Sequence, residues 1–247
     1  MSSSKLHPSH FPIPANVWRA AALASAVAQV VATGEAALDA QLPGGGWPVG
    51  ALTEILQGPQ VHAEWRLLLS ALARCGSAAV LLVAPPHVPF GPALSAQGLV
   101  LRRLMWVRAH ATRERLWAAE QSLRCAGVDA VLVWLPLARA DQLRRLQLAA
   151  AEFNKLLFVI RPSQAQSEST PAELRLLLEP GGPLNSAVSQ GGSYDKLRVH
   201  CLKRRGPPLE QPIELRAGTP VLTRLLAAQT IDLLRRGHAL DCTAACA

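Results

Sequence analysis

The chain has 247 residues, of which 50% are hydrophobic and 17% are charged, and it carries a formal net charge of +8. This length and apolar content are typical of one α/β domain with short extensions, and they exclude extensive disorder. No apolar run reaches the roughly 18 residues of a membrane span, and the start of the chain lacks the apolar core of a signal peptide. We therefore expect a cytoplasmic protein with no membrane partner, whose positive charge suits nucleic acid or an acidic protein surface.

The cysteines and histidines follow no ligand pattern. None of the five cysteines belongs to a C-x-x-C pair, and the seven histidines are dispersed along the chain. An odd number of scattered cysteines indicates no disulfide framework, and the missing ligand spacing indicates no metal site. We expect the protein to hold no cofactor.

Short apolar runs alternate with helical periodicity through most of the chain. In order, the pattern predicts a helix over 17–31, a strand over 51–56, a helix over 61–75, a strand over 78–84, a helix over 92–103, a strand over 104–107, a helix over 112–125 capped by Thr112, a strand over 128–135, a helix over 138–153 and a strand over 156–160. Elements that alternate at these lengths are joined by right-handed crossovers, which predicts an α/β fold with a mainly parallel sheet flanked by helices.

The pattern changes after Pro162. Residues 163–170 are polar and loop-like, and runs at 172–179, 196–203 and 212–216 are predicted to add antiparallel strands at the C-terminal edge of the sheet. A last helix begins at Thr219-Pro220 and ends at Gly237. Its apolar face either folds back onto the core or binds a partner, and it consists of Leu222, Leu225, Leu226, Leu233 and Leu234. The chain thus divides into a tail and helix (1–32), a core (33–217) and a C-terminal helix and tail (218–247).

An ordered set of short motifs surrounds the first predicted strand. In chain order the motifs are Thr33-Gly34-Glu35, Leu38-Asp39, Leu42-Pro43-Gly44-Gly45-Gly46-Trp47-Pro48-Val49-Gly50, Thr53-Glu54-Ile55-Leu56 and Gly58-Pro59. The set strongly resembles the segment that leads into the phosphate-binding loop of RecA-type recombinases. The resemblance implies a RecA-like core over 33–217, with that loop directly after the strand.

The phosphate-binding loop itself is degenerate. The family continues as G-x-x-x-x-G-K-[ST], in which backbone N–H groups surround the phosphates, the lysine neutralises their charge and the hydroxyl binds Mg²⁺. After Gly58-Pro59 this chain has Ala63 at the second glycine, Glu64 at the lysine and Trp65 at the hydroxyl. Replacing the cation by a carboxylate changes the interaction with triphosphate by several kcal/mol, on the order expected in a low effective dielectric.

Two further catalytic positions of the family are altered. Trp134 stands where the resemblance implies a metal-ordering Asp at the end of a strand, and Pro85-Pro86-His87 stands where it implies a general-base Glu. Because three parts of the machinery are lost together, we expect no ATP hydrolysis. We expect no other enzymatic activity either, because no Ser/His/Asp or Cys/His arrangement in the sequence suggests catalysis. A protein that senses ATP without hydrolysing it is an alternative. Glu64 and Trp65 argue against this alternative, because they predict a nucleotide pocket that is acidic and filled.

RecA-type proteins hold single-stranded DNA with two loops that follow core strands. Here the first loop, 136–140, is nearly absent, and the second, 163–170, has no Lys, Arg or aromatic residue to hold phosphates or bases. The candidate contacts for nucleic acid or an acidic partner lie elsewhere, at Lys196, Arg198, Lys203, Arg204 and Arg205. The alternative is that these cations bind no partner and only protect an edge strand from aggregation.

Two bacterial families of RecA-like proteins without ATPase residues fit this pattern. The chain resembles the ImuA family of translesion-synthesis proteins more than SulA, the SOS-induced inhibitor of the division protein FtsZ, because it keeps the segments 42–50 and 158–162. The resemblance implies a non-catalytic accessory protein of SOS-induced translesion synthesis. Its partners would be ImuB with the DnaE2 polymerase assembly, RecA and, as a further candidate, single-stranded DNA. A SulA-like inhibitor that binds FtsZ is the alternative.

Overall fold

The computed structural model describes residues 29–59, 61–181 and 196–216. The strands in these ranges are β1 (Val30–Val31), β2 (Trp47–Pro48), β3 (Leu52–Gln57), β4 (Ala79–Val83), β5 (Leu104–Val107), β6 (Val128–Trp134), β7 (Leu156–Pro162), β8 (Leu174–Gly181), β9 (Lys196–Lys203) and β10 (Ile213–Arg216). The α-helices are α1 (Ala36–Asp39), α2 (Glu64–Arg74), α3 (Gly91–Ala96), α4 (Thr112–Arg124) and α5 (Ala140–Phe153). Short 3-10 helices span Pro43–Gly45, Leu101–Arg103 and Ser163–Ser167.

Eight of these strands form one sheet, in the order β10-β9-β8-β3-β7-β6-β4-β5. The six strands from β8 to β5 in this order run parallel to one another, whereas β9 is antiparallel to β8 and β10 is antiparallel to β9. The run 172–179, predicted to add an antiparallel strand, thus overlaps β8, which is parallel to β3 and antiparallel to β9. β1 and β2 form a separate antiparallel ribbon. The predicted α/β architecture, with a mainly parallel sheet and antiparallel strands at its C-terminal edge, is confirmed.

Helices cover both faces of the parallel strands, which explains why those strands are near-continuous apolar runs. On one face, Leu68 of α2 packs in a buried cluster with Ile55 and Leu132 of the sheet. On the other face, Leu143 of α5 belongs to a second cluster with Val131. With both faces covered, the loops at the carboxyl ends of the strands are the place where a site can form.

The structure corrects several predicted boundaries. Residues 30–31, predicted as the end of a helix, form β1 and pair with β2, while 17–28 lie outside the described residues. The helix predicted over 92–103 is interrupted, because Gly98 adopts φ +95°, and it continues as the 3-10 helix at Leu101–Arg103. Thr112 is the first helical residue rather than the cap. Ala111 holds the cap position, where the Glu114 carboxylate accepts its backbone N–H.

Two sequence predictions lie beyond what the structure describes. The C-terminal helix, with its candidate partner-binding leucines, lies entirely in residues 217–247, outside the described residues. The boundaries of the tail and helix over 1–32 likewise stay predictions. Among the described residues no helix has the length and apolar character to cross a membrane.

Candidate partner-binding cleft

A cleft of about 680 Å³ opens at the carboxyl ends of the parallel strands. The ends of five strands, β3 to β7, and the segments that follow them line the cleft. The lining residues are Gln57, Gly58, Pro59, His62, Ala84, Pro85, Pro86, Trp106, Arg108, Ala109, His110, Arg115, Trp134, Pro136, Ile160, Arg161 and Pro162. Open α/β sheets bind their ligands at this edge, because the loops that meet there are positioned by rigid strands. It is therefore the candidate functional site.

The cleft wall is basic and aromatic, since three arginines and two histidines line it and no Asp or Glu does. The Arg108 guanidinium lies over the Trp106 ring, 5.1 Å from its centroid. Arg115 donates to the carbonyl oxygens of Ala109 and Trp134, at 3.2 Å and 3.1 Å, and so joins the loops after β5 and β6. A wall of this composition favours an anionic ligand with apolar character.

The replaced phosphate-loop residues take structural positions beside the cleft. Gly58 and Pro59 line it, but Ala63, Glu64 and Trp65 do not. The Glu64 side chain is buried in the first turn of α2, where the Gln57 side-chain amide donates to its carboxylate at 3.2 Å. The helix dipole stabilises a carboxylate in the first helical turn. In RecA-type ATPases the same helix N-terminus is expected to bind phosphate instead.

The prediction of an acidic and filled pocket is wrong. Trp65 packs against the apolar cluster on one face of the sheet, and Glu64 is buried beside Gln57, so neither side chain enters the cleft. Among the residues that the structure describes, the cleft is therefore open and lined by no acidic side chain. Within the described residues, the indole N–H of buried Trp134 has no hydrogen-bond partner, so an unused donor lies in the cleft wall.

Restoring the residues of the phosphate loop is not expected to restore ATP binding. In the double variant Glu64→Lys and Trp65→Thr, the lysine is placed in a buried site that has no anion to pair with unless the ligand binds. The other altered positions, Trp134 and Pro85-Pro86-His87, are not restored. A fluorescent ATP analogue should show no saturable binding up to millimolar concentration. Saturable micromolar binding by the variant, or by the natural chain, would show a nucleotide pocket instead.

The loop after β7, which the RecA resemblance implies for DNA, is tied down by a buried ion network. Glu54 of β3 is fully buried, and its carboxylate lies 2.8 Å from Nη1 of Arg161 and 2.8 Å from Nε of Arg175. Arg161 also contacts Glu168 at 2.6 Å. Burial acts to lower the pKa of Arg161, but its hydrogen bonds to Glu54 and Glu168 raise it above the ordinary value.

The second arginine of this network holds the loop backbone. The Arg175 guanidinium donates to the carbonyl oxygens of Ala165, Gln166 and Glu168, and the loop forms a 3-10 helix at Ser163–Ser167. The loop is tied through its backbone to strand β8 by these contacts. Its composition and its contacts both favour a structural role.

The five candidate cations around β9 do not form one patch. Lys196 and Arg198 lie near Glu214 of β10, at 2.9 Å and 3.8 Å. At the other end of the strand, about 23 Å away at 3.3 Å per residue, the cations contact other groups of the chain. Lys203 donates to the carbonyl of Thr170, Arg204 to those of Pro207 and Gln41, and Arg205 pairs with Glu173 at 3.0 Å. Their contact with nucleic acid or an acidic partner stays a prediction.

Sequence reasoning missed the basic residues of the cleft, above all Arg108, Arg115 and Arg161. One signal could have indicated Arg108, because it lies in the stretch 65–113, which contains no Asp or Glu. Among the described residues, no three Cys, His, Asp or Glu side chains lie together in a way that could hold a metal ion.

These features define an α/β protein with a basic, acid-free cleft at the carboxyl edge of its sheet. No protein-family model matches the chain. The chain is similar to the cell division inhibitor SulA of Photorhabdus laumondii, with 32% identity over 112 residues, which are 44% of this chain and 63% of that protein. It is also 29% identical to the SulA of Edwardsiella piscicida over 119 residues, 47% of this chain and 71% of that protein. The chain therefore spans less than two thirds of the Photorhabdus relative.

Proposed function

We propose that this chain is a non-catalytic, SulA-related protein that acts in the SOS response by binding a protein partner. The proposal rests on the residues that replace the phosphate-binding groups of the loop. Glu64 is buried in the first turn of α2, where a RecA-type ATPase has a lysine, and the adjoining cleft is basic. A site with no lysine, no hydroxyl and no catalytic acid retains binding groups but loses the chemistry of phosphoryl transfer.

A RecA-like origin is part of the proposal. The motif-bearing strand β3 lies between β7 and β8 in the sheet, and it leads through Gly58-Pro59 into α2 at the edge of the cleft. A strand, a glycine-containing turn and a helix in this order are the frame of a phosphate-binding loop. The frame supports descent from an ATP-binding protein whose site has been altered for another use.

The first candidate partner is FtsZ, because the similar proteins are named as cell division inhibitors. The test is the sedimentation of purified FtsZ assembled with GTP, at increasing concentrations of the full chain. We expect the pelleted fraction to fall with a stoichiometric dependence on the chain, since a binding protein sequesters subunits rather than turning them over. An unchanged pellet at a several-fold excess of the chain would exclude this partner.

The second candidate is the translesion-synthesis assembly, with ImuB as the contact and DnaE2 and RecA as further members. The aligned 112 residues are 63% of the Photorhabdus SulA but only 44% of this chain, so this chain has a larger share of residues outside the similarity. Co-elution with purified ImuB tests this candidate. A complex with ImuB together with an unchanged FtsZ pellet would select it, and the reverse pair of results would select the division inhibitor.

A further inference from the structure

Strand β5 leaves one edge of the sheet open within the described residues. It is the last strand of the order, pairing only with β4 there, so the backbone groups on its other side have no partner from another strand. Its sequence, Leu-Met-Trp-Val, contains no charge and no proline. Edge strands are usually protected by lysine, proline or a bulge, because an unprotected edge pairs with other chains.

Apolar side chains extend from this edge over the neighbouring turns. Val88, Phe90, Val100, Leu101, Met105 and Trp106 are all large and exposed, and we call them the edge patch. The turn that carries Phe90 lies against Leu101, since a methyl group added at Gly91 would come within 3.3 Å of that leucine. Successive strand residues point to opposite faces, so Met105 and Trp106 place exposed apolar groups on both sides of the β5 edge. Several exposed apolar groups near an open edge mark an interaction surface.

The charge around the edge patch has one sign. The segment 84–113 contains Arg102, Arg103, Arg108 and Arg113 but no Asp or Glu. Arg103 is buried and lies 3.5 Å from Asp129, which leaves Arg102 and Arg108 exposed at the two ends of β5. A segment that lay along β5 would therefore pass between two cations, which attract carboxylates at its ends.

We propose that the edge of β5 binds an extended segment of a partner protein, rich in Asp and Glu and carrying apolar side chains, which joins the sheet as an added strand. Main-chain hydrogen bonds to β5 hold the segment, its apolar side chains cover Met105 on one face of the sheet, and its carboxylates, on the other face, meet Arg102 and Arg108. The inference rests on the proposed function only in taking the partner to be a protein. It specifies the chemistry of the segment that the partner must offer.

Charge disfavours a second copy of the chain as the occupant. A symmetric pair that joined two β5 edges would bring Arg102 and Arg108 of each copy against those of the other, with no acidic residue in 84–113 to separate them. Like charges that face each other across paired strands are destabilising. An acidic segment has the opposite sign and removes this cost.

The test uses the full chain and a short synthetic peptide in which valine alternates with Asp and Glu. Its counterpart has lysine at every acidic position. We expect the acidic peptide to bind with an affinity at least about tenfold higher than the basic one. Hydrogen exchange should slow at the amides of Leu104–Val107 when the acidic peptide is bound. Equal affinities, no binding, or β5 amides already protected in the free chain would overturn the inference.

Two matched variants locate the surface. Met105 is 53% exposed on β5 and Leu148 is 60% exposed on α5, so a lysine at either position leaves the core unchanged. Met105→Lys should weaken binding of the acidic peptide by about tenfold or more, because the lysine side chain protects the edge and covers the patch. Leu148→Lys should bind as the natural chain does. An equal effect of the two variants would contradict the location.

The peptide experiment separates this inference from the proposed function. If the natural chain binds FtsZ or ImuB but not the acidic peptide, the β5 surface is excluded and the proposed function stands. If it binds the peptide at β5 but neither protein, the named partners are excluded and the surface stands.

Discussion

Replacing Glu54 by glutamine is expected to lower the free energy of unfolding by about 3–5 kcal/mol. Glu54 is fully buried, and its carboxylate is the shared partner of Arg161 and Arg175, which are themselves almost completely buried. Glutamine keeps the shape of the side chain but removes its charge. Two guanidinium groups then lose their common counter-ion in a place that water does not reach.

The effect of Glu54 should extend to the loop after β7. Arg161 and Arg175 are the groups that hold this loop, through Glu168 and through the loop carbonyls. When the central carboxylate is lost, we expect faster hydrogen exchange at the backbone amides of 163–168. This result would show that one buried charge fixes both the strand β3 and the loop beside the cleft.

Urea denaturation measures the change, with Glu168→Gln as the control. Glu168 contacts the same Arg161, but its side chain is 52% exposed, so water screens the pair and we expect a loss below about 1 kcal/mol. The slope of unfolding free energy against urea should be unchanged in both variants if the unfolded states are alike. A loss below about 1 kcal/mol for Glu54→Gln would contradict the central role of this carboxylate.

Replacing Trp47 by alanine is expected to cost about 3–5 kcal/mol of unfolding free energy. The Trp47 side chain is completely buried, and its ring meets Phe158 of β7 edge to face, with 5.4 Å between the centroids. Removing it leaves a cavity between the β1–β2 ribbon and the sheet. The ribbon then keeps its own short pairing and backbone bonds such as the one that Gly50 N–H donates to the Lys155 carbonyl, but it loses its largest buried side chain.

Trp117 provides the matched control for Trp47. It is a tryptophan of helix α4 whose side chain is 65% exposed, so Trp117→Ala is expected to change stability by no more than about 0.5 kcal/mol. Thermal and chemical unfolding of both variants give the comparison. Equal losses, or a small loss for Trp47→Ala, would show that the ribbon does not depend on this side chain.

The structural role of Trp47 explains how the glycine-rich segment persists without a nucleotide. Gly44 adopts φ +77°, and a side chain at Gly46 would lie 2.4 Å from the carbonyl oxygen of Val31. These glycines let the segment turn and approach β1 closely, so that Trp47 reaches the core. The motif that carries the family resemblance is thus needed for packing, whatever the state of the phosphate loop.

The buried strands could be predicted from the sequence because their signal is local. The runs 78–84 and 128–135 are almost wholly apolar, and the structure has β4 and β6 there with only their ends moved. The helix predicted over 92–103 failed for a local reason too. Apolar periodicity continues through Gly98, but the positive φ of that glycine ends the helical path.

The site could not be predicted in the same way, because it depends on which strands become neighbours. The edge position of β5 follows from the strand order, which pairing between distant segments decides. Glu54 was recognised only as part of a motif, since its partner Arg161 is 107 residues away in sequence. The acid-free stretch 65–113 was visible, but only the fold places its Arg108 in the cleft wall and its Arg102 beside the open edge.

The most direct test of a non-catalytic, partner-binding protein is titration calorimetry of the full chain with purified FtsZ and with purified ImuB, each with and without Mg-ATP. We predict that one of the two binds, that its affinity is the same with and without Mg-ATP, and that Met105→Lys weakens it. Binding that appears only with Mg-ATP, or heat that continues after saturation because ATP is being hydrolysed, would contradict the account.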